Sequence, residues 1–394
     1  MEIRFGFGAN WARYLDEHFS EERAEIARKW LLEFCGLPDL HGLSFIDIGC
    51  GSGLHSLGAW RSGVKSLLSF DYDPLSVAST QSLHQQQGAP ENWQVRQGSI
   101  LDDDLCRSLG TFDMVYSWGV LHHTGDQWKA ISNAISLMGP RSRLYIALYT
   151  SDQFDDPPPS YWLDVKRRYN QAGWLRKRLM EAHYVWRTIC AGRLDQLLRL
   201  PATARAYKAD RGMAMMTDVR DWLGGWPMEF TSIREVVDTL NGRGLALVNI
   251  KTGAANTEYL FVPEAAVAEL GYEVIAREQI GVFLCKPVKK LEDLEGRKEV
   301  FVFGTARGAA LLRKAFERDN GPRIAGFIDL ESSGSLDGIP VHAFDDFAAQ
   351  FPKDTPVVLS NQHVQENSAR LVRHGFEVLY NAHPMVIRLF REGL

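Results

Sequence analysis

At 394 residues and 45% hydrophobic content, the chain has material for two cores, more than a single domain normally uses. A net charge of −5 argues against a dedicated nucleic-acid binder, which carries a basic surplus. Cys35, Cys50, Cys106, Cys190 and Cys285 are odd in number and widely spaced, and no apolar run is long enough to span a bilayer; reduced thiols in a soluble, cytoplasmic protein are the expectation.

Residues 20–36 read as a helix. Ser20 can cap it, Glu21 and Glu22 suit its positive end, Gly36 ends it, and Ile26, Ala27, Trp30, Leu31 and Phe34 recur at helical spacing. Strand candidates follow at about 44–48, 66–70, 93–97, 112–117 and 143–149, separated by helical stretches. This alternation predicts an α/β fold: a Rossmann-like parallel sheet covered on both faces, with ligands at the carboxyl ends of its strands.

The rhythm breaks from about 150 to 240. Asp155-Asp156-Pro157-Pro158-Pro159 reads as a stiff connector, and a helix-rich, basic and aromatic segment follows, with Trp162, Lys166, Arg167, Arg168, Tyr169, Trp174, Arg176, Lys177 and Arg178. Strand patterns resume at 245–251 and 258–262, so two strands finish the sheet after a long helical insertion. That insertion is placed to form a lid over the substrate; a dimerisation element, giving a homo-oligomer, is the alternative. The charged stretch from Lys289 to Lys298 reads as a linker. A second alternation begins beyond it, with strands near 300–303, 324–328, 357–360 and 377–380 and helices near 309–317 and 362–374. The expected organisation is a first domain over 1–288, a linker over 289–298, and a smaller Rossmann-like α/β domain over 299–394.

The strand at 45–48 runs straight into Gly49-Cys50-Gly51-Ser52-Gly53. Alternate glycines let the backbone turn sharply and approach a ligand with no Cβ in the way, but such a turn serves NAD as well as other nucleotides. Two features tilt the choice. The third glycine comes one residue early for the dinucleotide pattern. Asp47 also lies inside the motif, where a carboxylate can help hold the cationic methionyl end of S-adenosylmethionine (SAM). The second strand ends at Asp71-Tyr72-Asp73-Pro74, and Asp71 stands where an acid takes ribose hydroxyls. Asp73 and Pro74 read as a helix cap and first helical residue. The third strand leads to Ser99 and Ile100, placed for the adenine edge, and the fourth to Ser117, Trp118 and then His122 and His123.

Residues 44–149 resemble a class I SAM-dependent methyltransferase, matching in order the glycine motif, the acidic end of strand two and the strand-four segment. The resemblance implies SAM as cofactor. It places Asp47, Gly49, Gly51 and Gly53 around the methionine and ribose, Asp71 on the ribose, Ser99 and Ile100 at the adenine, and Ser117 near the methionine. Tyr72, Trp118 and Trp11 complete the candidate cofactor-binding set. Ser99 departs from the family pattern, in which many members carry an acid. A looser resemblance, carried by Phe7-Gly8-Ala9-Asn10-Trp11, the Ser117–Gly125 segment and Asp221–Phe230, is to methyltransferases of bacterial polysaccharide and secondary-metabolite pathways. Ile324–Asp329 and Leu336–Val341 are similar to the amino-terminal Rossmann-like domains of nucleotide-sugar-modifying enzymes. There, Gly304-Thr305-Ala306-Arg307-Gly308 is a candidate phosphate turn, or a glycine turn of purely geometric origin.

SAM carries an activated methyl group, so the protein must align an acceptor and take its proton if it is a hydroxyl. His122 and His123 are the candidate bases, with hydrogen bonding to backbone as their alternative role. Asp126 can orient such a histidine or cap the following helix. Glu229, set between Trp226 and Phe230, is a further candidate as base or sugar ligand, or else a structural acceptor. Trp11, Trp118, Trp222 and Trp226 can wall a sugar or aromatic ring. No metal is assigned, because adjacent histidines point apart and magnesium prefers oxygen ligands. The expectation is O-methylation of a sugar-containing metabolite (a nucleotide sugar or glycan intermediate), with no nucleic-acid partner and no membrane span. Methylation of another natural product at N, C or O is one alternative, and a non-catalytic SAM-binding scaffold is the other.

Overall fold

The computed structural model describes residues 6, 8, 20–154, 157–190, 192–204, 215–252, 256–294 and 296–391. It divides into two compact units, Met1–Val274 and Ile275–Leu394.

The first unit opens with α1, Glu21–Cys35. The Ser20 hydroxyl accepts from the Arg23 amide at its start, and Gly36, at φ 63°, returns its N–H to the last turn. Its buried face is Ala24, Ala27, Leu31, Leu32, Phe34 and Cys35. Ile26 and Trp30, expected on that face, are exposed, and the Lys251 ammonium lies 4.8 Å from the centre of the Trp30 ring.

Seven strands form the first sheet: β1 Ser44–Ile48, β2 Ser66–Asp71, β3 Trp93–Gln97, β4 Phe112–Trp118, β5 Met138–Tyr149, β6 Leu245–Thr252 and β7 Asn256–Pro263. Their spatial order is β3-β2-β1-β4-β5-β7-β6. The first five are mutually parallel, and β7 runs antiparallel between β5 and β6. Helices α2 (Leu54–Arg61), α3 (Pro74–Gln86), α4 (Asp103–Leu109) and α5 (Gln127–Ser136) connect the parallel strands. Phe45, Leu57, Trp93, Met114, Tyr116 and Tyr145 pack with α1 in one core, each such side chain contributing about 1.5–3 kcal/mol of apolar burial. The order reverses between β1 and β4. The loops after β1, β2 and β4 therefore meet where α/β sheets bind ligands.

The expected insertion is helical: α6 Pro159–Gln171, α7 Trp174–Tyr184, α8 Leu194–Leu198 and α9 Met215–Gly224. It has its own core of Tyr169, Val185, Cys190, Val219 and Leu223. Glu181 is buried within it, accepting from the Tyr169 hydroxyl at 2.8 Å, from Arg178 at 2.6 Å and from Arg220 at 3.3 Å. The insertion ends earlier than 240. Helix α10, Ile233–Asn241, begins with a Ser232–Glu235 capping box and packs against β6, so it covers the sheet.

In the second unit, α11 (Gly281–Leu284) precedes seven strands: β8 Lys286–Pro287, β9 Glu299–Phe303, β10 Arg323–Asp329, β11 Gly334–Leu336, β12 Ile339–Ala343, β13 Val357–Leu359 and β14 Leu379–Asn381. Their order is β11-β12-β10-β9-β13-β14-β8. Helices α12 (Arg307–Arg318), α13 (Phe344–Gln350), α14 (Val364–Arg373) and α15 (His383–Arg391) complete it. Asp337 and Gly338, both at positive φ, form the two-residue turn of the β11–β12 hairpin.

The 289–298 stretch is not a free tether. Val288 and Leu294 are buried in the second core, the Asp293 carboxylate accepts from the amides of Lys289 and Lys290, and β8 pairs with β14. Residues 275–288, expected in the first domain, therefore belong to the second unit. A strand of two residues is too short to leave a hydrophobic period in the sequence.

Candidate active site

β1 ends where Gly49 and Cys50 donate their amides to the Phe70 carbonyl at 2.8 and 3.1 Å. Gly49, Gly51 and Gly53 take φ of 77°, 55° and 78°, left-handed values that only glycine adopts without strain. At Gly49 a Cβ would also lie 2.4 Å from Val120 Cγ1, so glycine is required there by both backbone and packing. Gly53 opens α2 without a side-chain cap, leaving the amides of that first turn facing the loop.

Asp71 fastens the loop. One oxygen accepts from the Gly51 amide at 3.0 Å and the other from the Asp73 amide at 2.9 Å. A carboxylate offers about four lone-pair sites, so two remain for a vicinal diol. Burial pushes its pKa up, against the pull of the Asp73 and Gly51 amides. Tyr72, beside it, is 58% exposed. Asp73 caps α3, accepting from the Leu75 amide, and its other oxygen accepts from the Gly8 amide at 2.9 Å. Trp11 lies outside the described residues, as do Phe7, Ala9 and Asn10.

Asp47 points beneath the loop and is buried. Its Oδ2 accepts from the Ser56 hydroxyl at 2.5 Å; Ser56 and Ser69 hydroxyls are 2.7 Å apart, and the Trp93 indole N–H donates to Ser69 at 2.9 Å. With the Trp93 N–H a donor at one end and the Asp47 carboxylate an acceptor at the other, a single direction runs from Trp93 through Ser69 and Ser56 to the carboxylate. Burial lifts the Asp47 pKa to about 7, the Ser56 hydroxyl opposing this and the negative charge of Asp71 adding to it.

The other expected cofactor residues divide. Trp118 is 37% exposed at the end of β4, its ring 6.1 Å from that of His55. The Ser117 hydroxyl is instead buried and donates to the Ile48 carbonyl at 2.9 Å, tying β4 to the end of β1. The Ile100 side chain is buried and its carbonyl accepts from Asn133, while the Ser99 hydroxyl accepts from the Leu101 amide. Strand period explains Ser117: it alternates with Trp118, and only one of the two can face out.

His122 is fully buried. Its Nδ1 accepts from the Tyr149 amide at 3.4 Å, its Nε2 has no hydrogen-bond partner, and burial drives its pKa well below the usual range. His123 Nδ1 lies 2.8 Å from the Pro227 carbonyl, which can only accept; the proton is therefore on Nδ1 and the lone pair on Nε2. Burial lowers its pKa to about 3. Of the two, His123 holds the tautomer a base requires.

Glu229 serves a helix end instead: its Oε2 accepts from the Gln127 amide at 2.8 Å, and its own amide donates to the His122 carbonyl. Burial raises its pKa, partly offset by that amide. Asp126 caps α5 by accepting from the Lys129 amide. Among the described residues, no group of three His, Cys, Asp or Glu side chains is arranged to hold a metal.

Three residues escaped sequence reasoning. His55, in the first turn of α2, has its ring 5.4 Å from Tyr116, and burial lowers its pKa to about 4, so it is neutral. Tyr149, at the end of β5, stacks 4.3 Å from His122 and touches Phe154, Trp222 and Phe230. Lys166, read as part of a basic helix, is buried. It donates to the Trp222 carbonyl with its ammonium 4.2 Å from the Trp222 ring centre, and burial lowers its pKa to about 7.

Residues 19–199 match the family model of a methyltransferase domain. Among curated proteins, the chain is 29% identical over 119 residues to the tRNA U34 carboxymethyltransferase of Idiomarina loihiensis, covering 30% of this chain and 36% of that protein. It is 36% identical over 64 residues to the ribosomal protein L11 methyltransferase of Histophilus somni (16% and 22%). To the ubiquinone biosynthesis O-methyltransferase of Rhizobium rhizogenes it is 27% identical over 108 residues (27% and 42%). The chain thus spans less than half the length of each of these relatives. Of solved structures, PKMT2 from Rickettsia typhi superposes with TM-score 0.43 at 14% identity, covering 63% of this chain and 54% of that one. The magnesium protoporphyrin IX methyltransferase of Synechocystis with bound SAH gives 0.37 at 16% identity, covering 64% and 93%.

The sheet order, the glycine loop with Asp71 and the family match define the class. The first unit carries a SAM-dependent methyltransferase domain.

Proposed function

We propose that the whole chain methylates an oxygen of a sugar-containing metabolite, a nucleotide sugar or glycan intermediate. The observation that carries this reading is the aromatic cluster beside His123. Tyr149 and Phe154 each lie 4.9 to 6.4 Å, centroid to centroid, from each other, Trp222 and Phe230, a set of flat apolar faces of the kind that pack against sugars.

The residues of the loop fit SAM. Asp71 keeps two lone-pair sites for the ribose diol, Asp47 supplies negative charge under the methionyl end, and the uncapped start of α2 adds amide donors. SAM, once bound, supplies a methyl group made electrophilic by its sulfonium. His123 Nε2 takes the acceptor's proton as the oxygen attacks in line. Burial, which holds this imidazole near pKa 3, opposes the transfer, and the Pro227 carbonyl, which steadies the Nδ1–H of the imidazolium, works against that penalty. The aromatic walls exclude water and hold the acceptor at reacting distance.

The test is a methyl-transfer screen of the full chain over nucleotide sugars and glycans, with the product read by mass spectrometry. Mass gain on a sugar hydroxyl is expected. Methylation confined to nitrogen or carbon acceptors, or none with SAM bound, would overturn the reading.

A further inference from the structure

The helical insertion contains a cleft of about 550 Å³, within the range of small-molecule sites. Tyr161, Trp162 and Tyr184 form its aromatic wall, with Tyr161 and Tyr184 set edge-on to Trp162 at 5.3 and 5.9 Å. Its arginines are Arg176 and Arg187, and among the described residues none that lines it is acidic.

The two arginines are unlike their neighbours. On the inner side of the insertion, Arg178 and Arg220 both pair with buried Glu181. Among the described residues, Arg176 and Arg187 have no hydrogen-bond or ion-pair partner. A stable domain has no need to gather two unpaired guanidinium groups at one aromatic cleft. Guanidinium is the side chain best suited to phosphate, through paired N–H donors.

The cleft also adjoins the candidate active site. Trp162 packs 5.1 Å from Trp222, Trp222 lies 5.8 Å from Tyr149, and Tyr149 stacks on His122. Three rings in series, Trp162, Trp222 and Tyr149, run from the cleft wall to His122.

We infer that this cleft binds a phosphate-bearing molecule with a flat aromatic body, the ring against Tyr161, Trp162 and Tyr184 and the phosphate on Arg176 and Arg187. Two sources share that chemistry, a nucleoside phosphate and an aryl phosphate. Taking this ligand as the methyl acceptor rests on the function proposed above; binding itself does not.

Calorimetric titration of the full chain with uridine monophosphate, phenyl phosphate, uridine and inorganic phosphate tests it. At least one of the two aromatic phosphates should bind, about tenfold or more tighter than uridine or inorganic phosphate, because ring and charge act together. Uridine monophosphate alone assigns nucleotides, phenyl phosphate alone assigns aryl phosphates, and both support the site. The double variant Arg176→Gln with Arg187→Gln should weaken that binding about tenfold or more while leaving SAM affinity unchanged. Both residues are exposed, so the fold is retained. The inference is overturned if neither aromatic phosphate binds, if inorganic phosphate binds equally well, or if the double variant binds as the wild type does. Loss of SAM binding in the same samples would instead overturn the methyltransferase reading.

Discussion

Asp47 should make SAM affinity depend on pH. Its carboxyl is buried under the glycine loop, with a pKa lifted to about 7 from an ordinary 3.8. The sulfonium and ammonium of SAM favour the ionised form, so binding must draw a proton off Asp47. With a pKa near 7, about one-tenth of the free protein carries the carboxylate at pH 6 and about nine-tenths at pH 8. If the bound cofactor returns Asp47 to the ordinary range, Kd should fall about tenfold between those pH values. Titration calorimetry in two buffers of different protonation enthalpy reads both the affinity and the proton released. Asp47→Asn preserves the shape and the Ser56 contact, and it should flatten the profile. The same raised pKa makes this group's contribution to stability fall as pH rises from about 4 to about 7, since the folded state there holds the proton more tightly. Equal wild-type affinity at pH 6 and pH 8, or an unchanged slope in Asp47→Asn, would remove Asp47 from the cofactor site.

Asp71→Ala strips acceptors from the Gly51 and Asp73 amides as well as from the ribose, and should weaken SAM binding about a hundredfold; unchanged calorimetric affinity would sink the ribose assignment. His123→Ala should lower turnover about a hundredfold or more with SAM affinity intact, as loss of a general base does. Full activity would leave the proton with another group. Lys166 is held near pKa 7, so the folded protein resists its charge. In denaturant titrations, Lys166→Met should gain about 2 kcal/mol or more relative to wild type on going from pH 10 to pH 7. A stability difference that does not move with pH would show that Lys166 stays charged.

Much of the first unit was legible in the sequence, because its cues are local. Strands at 44–48 and 93–97, the Ser20 and Gly36 caps, and the Asp73-Pro74 helix start all depend on neighbouring residues, and the structure has each of them. The positive φ at Gly49, Gly51 and Gly53 is equally a local demand. What the sequence hid depends on distant partners. Nothing near Glu229 announces that its carboxylate caps a helix 102 residues away. Lys166 reads as one of a run of surface cations until α9 closes over it. The direction of Ser117 follows from strand period, which places it opposite exposed Trp118. His55 did leave a signal, two residues past the last loop glycine on the helix that enters the site.

The most direct measurement is a parallel titration of the purified full chain with SAM and with NADH. One SAM should bind per chain and NADH should not. On the reading proposed here, the glycine loop, anchored by Asp71 and backed by Asp47, takes a methionyl cation and a ribose, and it lacks dinucleotide spacing. Binding of NADH without SAM, or of neither, would contradict the assignment.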